Sequence, residues 1–155
     1  MKKSDSIYTL VYLSTSQNCV FSEIELLQIV ENSKMHNLEK GITGVLISAE
    51  GLFLQVLEGD KENVVETYRM IKRDPRHFGC IKVLEQYSDR RLFDKWSMGF
   101  KSTNLKTIEN YLKSNNRIED KSFIDFIKTE ETSVLSFLHS FYKTNFEPYN
   151  TGVNL

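Results

Sequence analysis

The run Leu52-Phe53-Leu54-Gln55-Val56-Leu57, closed by Glu58-Gly59, constrains the fold more than any other part of this 155-residue chain. An apolar stretch of this length between Gly51 and Gly59 reads as a strand buried on at least one face. Gln55 interrupts it. A buried primary amide needs partners, because an unsatisfied polar group costs about 1–3 kcal/mol. An amide also presents a donor end and an acceptor end of nearly equal shape. Rotating or tautomerising it rewrites a hydrogen-bond network with almost no change in volume, which is the chemistry of a switch. The plainer alternative is a core glutamine satisfied by backbone.

Elements on either side supply a sheet for this strand. Ile7 to Leu13 reads as a first strand, with Tyr8, Leu10 and Tyr12 on one face and Ile7, Thr9, Val11 and Leu13 on the other. Ser14 to Cys19 reads as a loop. Ser22 and Glu25 form a capping box that opens a helix to about Met35. Gly41 and Gly44 flank the start of a second strand, Thr43 to Ala49, and Glu50-Gly51 suits a hairpin. Asp60 is an N-cap for a second helix with Val64, Val65, Tyr68 and Ile71 as its apolar stripe, ended by Pro75. Ile81 to Tyr87 is a fourth strand, Asp89 to Lys95 a short helical turn, and Trp96 to Phe100 a short fifth strand. The order βαββαββ predicts an α+β fold of ferredoxin-like type, with two helices on one face of the sheet.

From Lys101 the pattern turns helical. Leu105, Ile108 and Leu112, then Phe123, Phe126 and Ile127, then Val134, Leu135, Leu138, Phe141 and Tyr142 predict two or three amphipathic helices ending near Asn145. Residues 1–100 thus form one domain, and 101–155 a helical extension. Its apolar stripe would cover the open face of the sheet or another subunit.

Composition excludes several classes. Net charge is −1 with both signs mixed, so no basic stripe argues for nucleic acid. Cys19 and Cys80 lack metal-site or disulfide-framework spacing, and His36, His77 and His139 are far apart. No apolar stretch approaches the roughly 20 residues of a membrane span. The N-terminal residues run straight into a strand and do not read as a signal peptide. The expectation is a cytoplasmic protein.

A constellation of residue types stands out. Ile29, Ser33 and Asn37 fall at i, i+4 and i+8 of the first helix, on one side, with His36 beside Asn37. Taken singly, Asn37 reads as a C-terminal cap, Ser33 as surface, Ile29, Trp96 and Met98 as packing, Tyr12 as a core aromatic, and Arg76 and His77 as a loop. Together they can surround a flat heteroaromatic ligand with imide-like edges, such as flavin. Amides supply the alternating donors and acceptors of such an edge, and Ile29 and Ile71 supply aliphatic walls.

Five segments carry a family resemblance: Leu10-Val-Tyr-Leu-Ser14, Asn37-Leu-Glu-Lys-Gly-Ile-Thr-Gly44, Phe53-Leu-Gln-Val-Leu-Glu-Gly59, Asp74-Pro-Arg-His77 and Trp96-Ser-Met-Gly99. In this order and spacing, Ile7 to Phe100 resembles a BLUF domain, the flavin-binding sensor of blue light, in the form of a short stand-alone photoreceptor. The resemblance implies a non-covalent flavin, FAD by family habit, with FMN or riboflavin as alternatives. It implies that Tyr12 gives an electron and a proton to the excited flavin by way of Gln55, whose amide bridges the tyrosine to flavin N5 and O4 and is left rotated or tautomerised. It implies that Asn37 holds the C4=O and N3–H edge, that Arg76 faces the C2=O side, and that His77 neighbours the ring. Ser33, Trp96 and Met98 match the shell around the glutamine and carry the signal onward. Position 36 is His where some relatives have Asn. Output would be a change in oligomerisation or in binding of a downstream regulatory protein, with no enzymatic activity, no metal, and no direct contact with nucleic acid or membrane.

Two other readings remain at this point. A flavin-dependent redox enzyme would use the same cleft, although the GxGxxG dinucleotide fingerprint is missing. A flavin-free interaction module would share the fold, with Tyr12, Gln55 and Asn37 as ordinary core and cap residues.

Overall fold

The computed structural model describes residues 6–16, 23–49, 51–95, 97–102 and 132–145. The chain divides into two compact units, Met1–Arg117 and Ile118–Leu155.

In the first unit the elements are β1 (Ile7–Ser16), α1 (Glu23–Lys40), β2 (Thr43–Ala49), β3 (Leu52–Gly59), α2 (Lys61–Arg73), β4 (His77–Ser88) and β5 (Gly99–Ser102). They build one sheet in the order β4-β1-β3-β2-β5. β1 pairs antiparallel with β3 and β4, and β2 antiparallel with β3. β5 adds a parallel edge to β2. This is the ferredoxin-like α+β arrangement, with one extra strand at the β2 edge.

β3 lies at the centre because both of its faces are apolar. Phe53 and Leu57 join Tyr8, Leu10, Tyr12 and Leu46 in a core against Val30 of α1 and Val64 and Tyr68 of α2. Leu54 and Val56, on the other face, are fully buried beside Val11, Val45 and Ile47. So β3 carries buried side chains on both faces. Gly44 permits the tight β2–β3 approach, since a Cβ there would stand 1.9 Å from the Val56 carbonyl oxygen.

Several elements run longer than the local pattern predicts. β1 continues through Ser14, Thr15 and Ser16, because β3 and β4 both pair with it there. β4 correspondingly begins at His77 rather than Ile81. α1 runs five residues past Met35, to Lys40, so Asn37 is not its cap. The chain turns instead at Gly41 with φ +64°, a conformation open to glycine, and the Ile42 amide returns to the Asn37 carbonyl at 2.8 Å. The capping box at Ser22 lies outside the described residues. α2 follows expectation: Asp60 accepts from the Glu62 and Asn63 amides at 3.0 and 3.4 Å, and Arg73 is its last residue.

Residues 89–95 form bends and a turn rather than a helical turn. The buried Glu58 carboxylate accepts the amide hydrogens of Leu92 and Phe93 at 2.8 and 2.6 Å and holds the segment irregular. β5 begins at Gly99 rather than Trp96. In the second unit, α3 (Ser133–Asn145) starts where Thr132 Oγ1 accepts from the Leu135 amide at 3.1 Å. Val134, Leu135, Leu138, Phe141 and Tyr142 are its buried residues. The helices expected across 105–127 lie outside the described residues. No described helix is long and apolar enough to cross a membrane.

Candidate functional site

β-sheet register decides the centre of the site. Tyr12 of β1 and Leu46 of β2 both stand opposite Gln55 of β3, on the face packed by the helices. Tyr12 and Gln55 are 3% and 4% exposed, so each polar group must be satisfied internally. The Tyr12 hydroxyl donates to Gln55 Oε1. Gln55 Nε2 donates to Met98 Sδ at 3.5 Å. A thioether can only accept, whereas a phenol both donates and accepts. Met98 therefore favours the amide orientation seen here, while Tyr12 tolerates either one.

Burial drives the Tyr12 pKa well above the ordinary tyrosine value, and Cys80, Tyr68 and Asp74 push the same way. Tyr12 is accordingly a neutral phenol across the physiological range. Its ring lies 5.2 Å from that of Tyr68, tilted by 45°.

The helices build the walls of a cleft of about 210 Å³ above this line. Ile29, Leu46, Phe53, Met70 and Ile71 give it apolar sides, and Ser33, His36, Asn37, Tyr12 and Gln55 give it polar edges. Asn37 is 1% exposed, and its Nδ2 donates to the Ser97 carbonyl at 2.8 Å. One Nδ2 hydrogen and Oδ1 remain to meet a ligand edge. His36 Nε2 lies 2.9 Å from Thr67 Oγ1. The Thr67 hydroxyl donates to the Asn63 carbonyl at 2.8 Å, so the imidazole is the donor to it. At one end of the cleft, Arg76 Nε meets Asp74 Oδ1 and Oδ2 at 2.9 and 3.0 Å.

The structure thus brings Tyr12, Ile29, Ser33, Asn37, Gln55, Ile71 and Arg76 to one cleft, with Met98 bonded to its amide. His77 begins β4, but its side chain, like all of Trp96, lies outside the described residues. Sequence reasoning did not assign Leu46, Phe53, Thr67, Met70 or Asp74 to the cleft. Thr67 stands one helical turn before Ile71, and Leu46 becomes a neighbour of Gln55 once the β2–β3 hairpin register is drawn. Those two could have been found. Among the described residues no group of side chains could hold a metal ion.

Comparison with known proteins places this geometry. The family model described as sensors of blue light using FAD, BLUF, matches residues 7–99. The blue light- and temperature-regulated antirepressor BluF of Escherichia coli (strain K12) is 30% identical over 114 residues, 74% of this chain and 28% of that protein. The photoactivated adenylate cyclase subunit beta of Euglena gracilis is 39% identical over 72 residues, 46% of this chain and 8% of that protein. The chain therefore spans only a small part of these curated relatives. Among solved structures, the BLUF protein BlrB in its dark state aligns with TM-score 0.60 at 29% identity, covering 71% of this chain and 83% of that one. BlsA in its photo-activated state aligns with TM-score 0.63 at 25% identity, covering 87% and 93%. With a matched family model over most of its length and this fold, the chain belongs to the BLUF family of blue-light sensors.

Proposed function

We propose that Tyr12, Gln55 and Met98 form the photoactive line of a blue-light receptor, and that the cleft above them holds FAD. The observation that carries this reading is the continuous Tyr12–Gln55–Met98 hydrogen-bonded chain, of which Tyr12 and Gln55 line the cleft. The donor set fits a flavin. Ile29 and Ile71 offer faces to a flat ring, and Asn37 and Gln55 offer both donors and acceptors to an imide edge. Bound there, the flavin supplies blue-light absorption and an excited state that accepts an electron.

The residues of this chain do the rest. Tyr12, kept neutral by burial, gives up an electron, and its proton leaves along the bond to Gln55 Oε1. Return of both restores Tyr12 but leaves the Gln55 amide rotated or tautomerised. A rotated amide turns its oxygen toward Met98 Sδ, where no donor waits, so the sulfur must give way. Met98 is followed directly by Gly99 at the start of β5, and Asn37 holds the adjacent Ser97 carbonyl. The change therefore reaches the sheet edge. We assign Ser33 and Trp96 to the same relay, Arg76 and His77 to the rim of the flavin site, and residues 1–100 to flavin binding.

One exchanged hydrogen bond supplies about 1–3 kcal/mol. That shifts a balanced equilibrium by roughly tenfold to a hundredfold. The output is then a population shift rather than turnover. We place it in the helical extension, 101–155, acting through a homo-oligomer or a downstream regulatory protein in the cytoplasm. BlrP1 of Klebsiella pneumoniae was solved with FMN and cyclic diGMP, and aligns with TM-score 0.67 at 25% identity over 87% of this chain and 34% of that one. FMN, and riboflavin with it, are the alternative cofactors. The test is an absorption spectrum in the dark, after a blue flash and through recovery. A flavin spectrum with a small reversible red shift supports the proposal. A yellow protein that bleaches or stays unchanged favours a flavoenzyme, and a colourless one that cannot be reconstituted favours an interaction module.

A further inference from the structure

Glu58 is a carboxylate with 0% exposure, on the face of the sheet opposite Gln55. Burial pushes its pKa up, and the amides of Leu92 and Phe93, the Thr43 hydroxyl and the Arg91 guanidinium pull it back. A group this costly to bury is retained here with a full set of donors. Leu92 N–H reaches Oε2 at 2.8 Å, Phe93 N–H reaches Oε1 at 2.6 Å, and Thr43 Oγ1 donates to Oε1 at 2.8 Å. Arg91 closes the cage. Its NH1 donates to Thr43 Oγ1 at 3.0 Å and to the Glu58 carbonyl at 3.2 Å, and its NH2 to the Gly41 carbonyl at 2.7 Å.

Met98 stands five positions after Phe93, a reach of at most about 18 Å. The connection from β4 to β5 is therefore held at two places by two kinds of bond. At Leu92 and Phe93 the acceptor is a buried carboxyl group that also takes the Thr43 hydroxyl. At Ser97 and Met98 the bonds are neutral, and one ends on a weak thioether acceptor. The end with three donors on one carboxyl group is the firmer hold, and the contact with a weak thioether acceptor is the looser one.

We infer that Glu58 is a positioning residue: its carboxylate clamps the β4–β5 connection at Leu92 and Phe93, and this fixed pivot sets where Met98 meets Gln55. The inference extends the photoreceptor reading to a residue on the far face of the sheet. Glu58 touches neither the cleft nor the photoactive pair, and it acts through the segment it holds.

The test uses the full chain with its flavin, labelled at methionine methyls. Glu58→Gln keeps the shape but leaves one oxygen for three donors. The expected result is at least tenfold faster amide exchange at Leu92 and Phe93, a displaced Met98 methyl resonance, and dark recovery changed at least threefold with flavin still bound. Val64→Ala, a core truncation in α2, is the control for general destabilisation and is expected to leave the Met98 resonance in place. If Glu58→Gln does not fold, Thr43→Val removes one donor to the carboxyl group and one of the three acceptors of Arg91, and must displace Met98 in the same direction. A Met98 resonance unmoved in the variant that folds, or moved equally by Val64→Ala, overturns the inference. Should the protein carry no flavin, the recovery readout disappears, yet the exchange and methyl measurements still decide whether Glu58 positions Met98.

Discussion

Tyr12 and Gln55 face each other across neighbouring antiparallel strands, and the phenol donates to the amide oxygen inside a core that excludes water. The opposite end of the same amide donates to Met98. A donor–acceptor pair with its orientation chosen by a thioether is poised between two hydrogen-bond patterns of equal volume.

Removing the phenol tests the first bond. Tyr12→Phe leaves Gln55 Oε1 without its donor, at a cost of about 1–3 kcal/mol, and the domain is expected to stay folded and yellow. The reversible red shift disappears. A flash-induced difference spectrum checks this, and a full shift in the variant would exclude Tyr12 as the donor of electron and proton.

Met98→Leu conserves volume, costing under about 1.5 kcal/mol, and deletes the acceptor for Gln55 Nε2. The dark orientation of the amide loses a bond worth roughly 0.5–1.5 kcal/mol. Dark recovery should slow by about two- to tenfold while the red shift persists, as read by absorption after a flash. Unchanged recovery would mean that the sulfur does not select the orientation.

Asn37 serves the cleft and Ser97 at once. Asn37→Ala should weaken flavin binding by roughly tenfold to a hundredfold, the equivalent of about 1–3 kcal/mol. Fluorescence titration of released flavin measures it. Retained affinity would move the ligand's imide edge away from α1.

Alkali should destabilise the fold through Tyr12. Its folded pKa is raised, mainly by burial, so above about pH 10 the unfolded chain loses this proton first. The folded state then holds one more proton, and stability falls with pH by up to about 1.4 kcal/mol per unit from this group. The contribution is zero below the ordinary tyrosine range. Urea midpoints between pH 9 and 11 should fall less steeply in Tyr12→Phe, and parallel slopes would contradict the raised pKa.

Gly44→Ala places a Cβ into the Val56 carbonyl. Backbone cannot swing aside as a side chain would, so the loss is expected near the upper end for overpacked cores, about 3 kcal/mol. Thermal unfolding should drop by roughly 6–12 °C. A midpoint within a degree of the parent would show that β2 and β3 can separate at no cost.

Much of the fold was legible along the chain because its cause is local. Apolar runs rich in β-branched and aromatic residues, bounded by glycine at β2 and β3, placed β1, β2 and β3, Asp60 capped α2, and Pro75 stopped it. The lengths of β1 and β4 were not legible, because Ser14, Thr15 and Ser16 are polar and become strand only by pairing with β3 and β4. Residues 89–95 have helical composition, yet they yield their amides to a carboxylate more than 30 residues away in sequence.

For the site, the order of residues specifies the chemistry: which strand carries an amide, which carries a phenol, and which helix side carries Ile29, Ser33 and Asn37. Side-chain period fixes those faces without reference to the rest of the molecule. Which of these groups meet depends on contacts between distant parts of the chain. Register set Tyr12 and Leu46 against Gln55, and the parallel addition of β5 to β2 delivered Met98 to the amide. The reach of α1 past Met35 turned Asn37 from a cap into a cleft residue. These are non-local pairings, fixed by burial and by the need to satisfy every polar group placed inside it.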